Sequence, residues 1–494
     1  MKYLVATLTI SAICLSSAVA QQPQQLQVDL SLEDAIRLSQ ENGSQVAQAR
    51  LQAMISKGAI TAADGDFDPV FFSSLNYDVN ESAAPPDLPP GIFDSSLTRR
   101  YSAAQGLRSD LRSGGNIELR ITEGSNDDRF TASEITTLVN EANTSISLSF
   151  TQPLLRGAFS MVATANERKA YITHDSDLLS IAQASVDGVQ AVVDAYWNLS
   201  FALADLEVKK QSLLLAENLR DITVAKYDVG AVAKVEVTQT RADIASRQDA
   251  VLIAQNSVDT NHDALRRLIS AFDNQDDWQI DFNLVSASPP ATAVTDDWKA
   301  LWNNALENRG DIQKLQLDVD SAQIDFDVAQ SNMSPKLDFK ASGTYSAQDD
   351  QVDSSLDELL NHDSPGYTFG FVFELPISNS LYVGAKMQAK NRLLLAKRIL
   401  RDQSTDLAQQ VRQALHNVNY YSERVTVTAH ASNMAQLKLE SEQLRLREGA
   451  STNYQVLQFQ ADLAVAQSQQ LQTQTEYAKA AVKLDTIQGN IPTF

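Results

Sequence analysis

Two stretches without a proline, about Met161 to Asp228 and about Leu381 to Arg447, constrain this chain more than any other feature. Both are rich in Ala, Leu, Gln, Arg and Glu, which are strong helix formers. At about 1.5 Å per residue each predicts a helix of about 100 Å. Helices of globular domains average about 11–12 residues, so no ordinary core encloses these two. Apolar residues recur at steps of three and four, as in Leu203, Leu206, Leu213, Ala216 and Leu219, with small Ala and Ser between them. That spacing predicts a coiled-coil-like wall of packed helices and not a catalytic scaffold.

The chain also repeats its own grammar. Glu41-Asn42 is expected to open a helix that ends at Asp68-Pro69, and Glu307-Asn308 one that ends at Ser334-Pro335; each glutamate precedes its proline by 28 residues. Further on, Gly230 is followed by Gln239, Ala242-Asp243 and Leu265, and Gly449 at the same spacing by Gln458, Ala461-Asp462 and Leu484. Two registers across two long blocks predict an internal two-fold repeat. The first unit covers 21–290, with strands at about 70–152 and a helical hairpin at about 160–270. The second covers 291–494, with strands at about 336–376 and a hairpin at about 381–488. Pro289-Pro290, flanked by Asp276-Asp277 and Asp296-Asp297, reads as the linker. Gly230 and Gly449 stand where a helix C-terminus needs a left-handed residue, and helix resumes at about Val235 and Asn453. Breaks this short make the flanking helices antiparallel neighbours, so each half carries one hairpin with its tip at the glycine.

Six short stretches alternate with period two: Phe71 to Val79, Leu107 to Arg112, Ile117 to Thr122, Ser145 to Phe150, Leu337 to Tyr345 and Tyr367 to Glu374. Long polar connections are expected at 80–102, 123–143 and 347–365, against a tight turn at Ser113-Gly114-Gly115. Long loops on one side and short turns on the other are the habit of outer-membrane barrels, although a soluble sheet shares the alternation. At Gln152-Pro153 and Leu375-Pro376 proline stops pairing and hands the chain to a helix.

The N-terminus fits the same compartment. Lys2, the apolar run Leu4 to Leu15 and the small residues Ala18-Val19-Ala20 form the pattern of a secretory signal, with the mature chain expected from Gln21. The only cysteine, Cys14, follows Ile13, which does not suit lipoprotein processing, so the mature chain is expected to hold no thiol. No later run reaches the roughly 18 apolar residues of a membrane-spanning helix. The formal charge is −22, and loss of Lys2 takes it to −23; such a surface repels nucleic acid. No Gly-rich phosphate loop, nucleophile elbow or metal signature occurs in the sequence, and His174, His262, His362, His416 and His430 share no ligand spacing. Asp349-Asp350 with Asp353 and Asp357 misses EF-hand spacing and reads as a solvated loop. Neither enzyme activity nor a cofactor or metal is expected.

Several motifs in this order resemble the TolC-like outer-membrane efflux proteins. They are Leu32-Glu33-Asp34-Ala35, Glu307-Asn308-Arg309 with Asp311-Ile312, Thr151 to Gly157, Ala195-Tyr196-Trp197, and the two tips with their trailing Gln-x-x-Ala-Asp. The resemblance implies an α+β membrane protein, in which long antiparallel helical hairpins form a trimeric α-barrel beneath an outer-membrane β-barrel of four to six strands per subunit. It implies a homotrimer in outer-membrane lipid with a large periplasmic extension, serving a periplasmic adaptor and an inner-membrane pump in efflux or type I secretion. It also implies that residues just beyond the tips line the entrance: Glu236, Gln239, Tyr454, Gln455 and Gln458. Where well-known members carry acidic residues past the second tip, this chain has Gln455 and Gln458, so cation selectivity falls to Glu236. The tips themselves, Asp228, Gly230 and Lys234 with Glu448, Gly449 and Asn453, are the expected adaptor-docking residues. The family's usual four strands leave residues 103–122 as either an extra strand pair or an extracellular hairpin. A poreless coiled-coil tether of the envelope is the alternative from another class.

Overall fold

The computed structural model describes residues 27–83, 95–132, 135–269, 278, 280–349, 355 and 365–491. The expected leader at 1–20, Asp276-Asp277, and Asp350, Asp353 and Asp357 lie outside these residues. A short strand β1 (Gln27–Leu30) leads into α1 (Leu32–Asn42) and α2 (Ser44–Asp64). Four long strands follow: β2 (Val70–Ala83), β3 (Ser95–Asp110), β4 (Asn116–Ala132) and β5 (Ile135–Pro153). Next come a helical turn, α3 (Ser160–Ala163), then α4 (Ala165–Asp228) and α5 (Lys234–Ile269). The second half runs β6 (Asp281–Leu284), α6 (Trp298–Asn308), α7 (Gly310–Ser331), β7 (Lys336–Asp349) and β8 (Pro365–Glu374). It ends with α8 (Ser380–Arg447) and α9 (Asn453–Thr486).

Helices α4 and α8 have 64 and 68 residues, about 96 Å and about 102 Å of axis. Each returns antiparallel against its successor, α5 or α9. The expectation that Glu41-Asn42 and Glu307-Asn308 open helices is corrected: both pairs close one. Asn42 ends α1 and its amide donates to the Ile269 carbonyl (3.2 Å), capping α5. The chain must bend at Gly43, where an added Cβ would stand 2.2 Å from the Ser39 carbonyl oxygen, so glycine alone fits. Asn308 likewise ends α6, and the bend falls at Arg309.

All of β2, β3, β4, β5, β7 and β8 join in one antiparallel sheet in that order. The pairing register places Phe71, Leu107, Leu119, Leu148, Gly343 and Tyr367 in one row across all six strands. The next row, one residue along, is Phe72, Gly106, Arg120, Ser147, Thr344 and Gly366, on the opposite face. There Arg108 and Arg120 lie over the Phe72 ring, at 5.8 and 5.2 Å. Much of what was expected as polar loop is strand. Residues 80–83, 95–102, 123–132 and 135–143 belong to the ladder, because backbone pairing does not need apolar side chains. Polar pairs even support it: Arg99 faces Asp127 at 3.7 Å and Arg100 donates to Asn126 at 3.0 Å. Among the described residues the sheet is open within one chain, with β2 and β8 at its edges.

The Ser113 turn lies on the helical side of the sheet. Gly114 has φ +88, and a Cβ there would meet the Gly157 carbonyl oxygen at 2.3 Å. Arg112 beside it reaches Glu167 (3.2 Å) and Asp64 (3.3 Å), near the ends of α4 and α2.

Midway along the helices a second layer covers the wall. β1 pairs in parallel with β6, a contact the sequence reading missed. Tyr196 donates to the Leu30 carbonyl (3.1 Å) and accepts from the Ser286 amide (3.1 Å). Tyr477 accepts from the Thr292 amide (2.9 Å) and donates to the Pro290 carbonyl (3.2 Å). The linker is thus held by one buried tyrosine from each hairpin. Around them lie two buried cores, one holding Leu199 and Leu265 and the other Val411, Val418 and Leu484. A fully buried Leu is worth about 1.5–3 kcal/mol.

Candidate channel entrance at the hairpin tips

Gly230 and Gly449 adopt φ +75 and +79. Each closes a helix with the same pair of backbone bonds. Gly230 and Ala231 donate to Tyr227 and Lys226; Gly449 and Ala450 donate to Leu446 and Arg445. These bonds satisfy carbonyls that the helix end would leave bare. Helix restarts at Lys234 after Ala233, whose side chain has no acceptor, whereas Thr452 forms a capping box with Gln455 before Asn453.

The two tips meet side by side. Asn453 Nδ2 donates to Glu236 Oε2 at 2.6 Å, and Asn453 is only 5% exposed. Just above, α4, α5, α8 and α9 share an apolar core of Ala216, Leu219, Ile244, Leu439, Val456, Leu457 and Leu463. Arg247 crosses it: its guanidinium donates to the Ser212 carbonyl (2.8 Å) and hydroxyl (3.0 Å) and to the Leu457 carbonyl (3.1 Å). Asp243 lies 2.7 Å from Arg247 Nε. Burial pulls this guanidinium below its ordinary pKa, against the pull of Asp243. Sequence reasoning missed Arg247, since an arginine on a long helix reads as a solvated face. Its signal was the apolar stripe it interrupts.

The expected entrance residues divide. Glu236 is half-buried and engaged with the other tip; Gln239, Tyr454, Gln455 and Gln458 are exposed on the single chain. Within it, Gln455 serves its own cap, and Gln458 donates to Asp462 on its own helix (3.0 Å), so neither bridges the two hairpins. Asn453, expected as a docking residue, makes that bridge instead. Asp228, Gly230, Lys234, Glu448 and Gly449 are all exposed. The second tip also has an acid that the sequence reading passed over. Glu442, 5% exposed, accepts from Ser451 and from Arg445 (3.1 Å). Among the described residues no group of three His, Cys, Asp or Glu could hold a metal.

Paired long hairpins, a collar at mid-height and a six-stranded sheet at the far end define a class of α+β protein built on long helical hairpins. The chain belongs to the outer membrane efflux protein family, which matches residues 35–271 and 301–490. Among solved structures it is similar to the CmeC outer membrane channel of Campylobacter jejuni, with TM-score 0.66 and 16% identity over 93% of this chain and 85% of that one. It is similar to VceC of Vibrio cholerae, with TM-score 0.65 and 16% identity over 93% and 96%. It also resembles the open state of the Neisseria gonorrhoeae MtrE outer membrane channel, with TM-score 0.62 and 14% identity over 93% and 89%. No curated protein matches the sequence. At these identities the structural likeness speaks for the fold.

Proposed function

We propose that three copies of this chain form the outer-membrane exit duct of a tripartite efflux or type I secretion system. Substrate handed over by an inner-membrane pump and its periplasmic adaptor enters at the tips and leaves through a β-barrel. The observation that carries this reading is the pair of sheet edges. Among the described residues β2 pairs only with β3, and β8 only with β7. Both edge strands carry exposed apolar residues on one face: Phe71, Leu75, Tyr77 and Val79 on β2, and Tyr367, Phe369, Phe371 and Phe373 on β8. Lipid leaves no unpaired edge tolerable, so such a sheet must close with copies of itself, giving eighteen strands for three chains. No helix among the described residues is long and apolar enough to cross a membrane. In this reading the sheet carries the span. The two halves then act as structural repeats joined at the tyrosine-clamped linker, following a secretory leader at 1–20.

Release of a trapped dye from vesicles bearing the purified protein tests the pore. A duct empties them, whereas a poreless tether leaves the dye inside. In this reading Glu236, Gln239, Tyr454, Gln455 and Gln458 border the constriction, and the exposed tips receive the adaptor.

A further inference from the structure

Between α4, α8 and α9, just above the tips, lies a cleft of about 210 Å³. Leu219, Leu446 and Val456 give it apolar walls, and Gln460 lies among its lining residues at 3% exposure. The Gln460 amide makes one long bond to the Leu215 carbonyl (3.4 Å), while its Oε1 is buried without any partner. A buried acceptor left unmet is costly, and Gln460 belongs to the cleft's lining. Lys226 and Arg447, more exposed, also line the cleft, and neither has an ion-pair partner among the described residues.

We propose that this cleft binds a small organic acid with an apolar body and one N–H or O–H donor. The body packs between Leu219, Leu446 and Val456, the donor satisfies Gln460 Oε1, and the carboxylate faces Lys226 and Arg447. Walls from both hairpins enclose the site, so an occupant ties the hairpins together above the Glu236–Asn453 bond and resists their separation. That consequence rests on the entrance reading; the binding itself does not.

Indole-3-acetate is the test probe, because it combines an apolar bicycle, one N–H and one carboxylate. Calorimetric titration of the detergent-purified full chain should show one saturable site per chain. The 1-methyl derivative, lacking the donor, should bind about fivefold more weakly, the worth of one hydrogen bond. Indole without the carboxylate should also bind more weakly, with the gap closing at high salt. Gln460→Leu should equalise the methylated and unmethylated acids, and Lys226→Gln with Arg447→Gln should bring the acid to the level of indole. No saturable binding, or equal affinity of the wild type for both acids, would reduce the cleft to a packing gap. Binding without any loss of pore current would uphold the site and count against the tips as the gate.

Discussion

Asn453 and Glu236 begin the returning helices of the two hairpins and are joined by a 2.6 Å hydrogen bond. A bond to a carboxylate is among the stronger ones, worth about 1.5–3 kcal/mol. It links the ends farthest from the sheet, where helices have fewest neighbours and open most readily. Asn453→Ala should therefore raise amide hydrogen exchange at 228–240 and 448–458 by at least several-fold, while the sheet stays protected. Unchanged exchange at both tips would mean that the bond restrains nothing.

The glycines at the turns carry a different prediction. Nothing lies within 4 Å of a Cβ added at Gly230 or Gly449, so only their positive φ resists substitution. Left-handed backbone costs an L-residue about 1–2 kcal/mol. Gly230→Val with Gly449→Val should reshape both turns and abolish export, while trimers still reach the membrane at wild-type amounts. Export at the normal rate from the double variant would show that the tips are only turns.

Arg247 holds the hairpins together from inside. Arg247→Met leaves the half-buried Asp243 carboxylate without its cation, and Arg247→Lys cannot span the Ser212 and Leu457 acceptors with one ammonium. Breaking a buried ionic network costs about 3–5 kcal/mol. Both variants should lower the melting temperature of the purified protein, Met and Lys alike; a wild-type melting curve for either would refute the role.

These elements were not equally legible in the sequence. Gly230 and Gly449 announced their turns because only glycine takes that backbone cheaply, and the proline-free runs announced α4 and α8. Alternation located all six strands of the sheet but not their ends. Glu123 to Arg129 is polar throughout, yet the ladder continues through it on backbone bonds. The β1–β6 pair was hidden because each strand has only four residues, too few for a periodicity, and they stand most of one repeat apart. Asn42 was mistaken for a helix start because its capping partner, the Ile269 carbonyl, is distant in sequence. Glu442 and Arg247 occupy apolar-stripe positions, where only tertiary structure shows who satisfies them.

Asp194 makes a pH prediction. Burial raises its carboxyl above the ordinary 3.8, outweighing the Gln190 amide that donates to it at 2.9 Å and the nearby Lys479 and Lys483. A raised acid contributes stability that is present below its unfolded pKa and lost as pH rises through its folded value. Asp194→Asn keeps the shape and the bond from Gln190. It should raise the melting temperature at pH 7, with the gain fading toward pH 4. A loss of stability at pH 7 would contradict the assignment.

The position of the Ser113 turn can be read chemically. Its hydroxyl donates to Gln152 at 2.7 Å, and the turn sits beside the start of the helices. In the proposed orientation it faces the periplasm. Ser113→Cys should resist an impermeant maleimide added to intact cells and react once the outer membrane is opened. Labelling of intact cells would instead make 103–122 an extracellular hairpin and reduce the barrel to twelve strands.

The central claim is that this chain forms a pore gated at the tips, and single-channel current in a planar bilayer tests it most directly. The wild-type protein should conduct, with cation preference, and Glu236→Ala should pass more current while losing part of that preference, because it removes both the bond to Asn453 and the charge. Silence from both proteins in bilayers they have demonstrably entered would contradict the account.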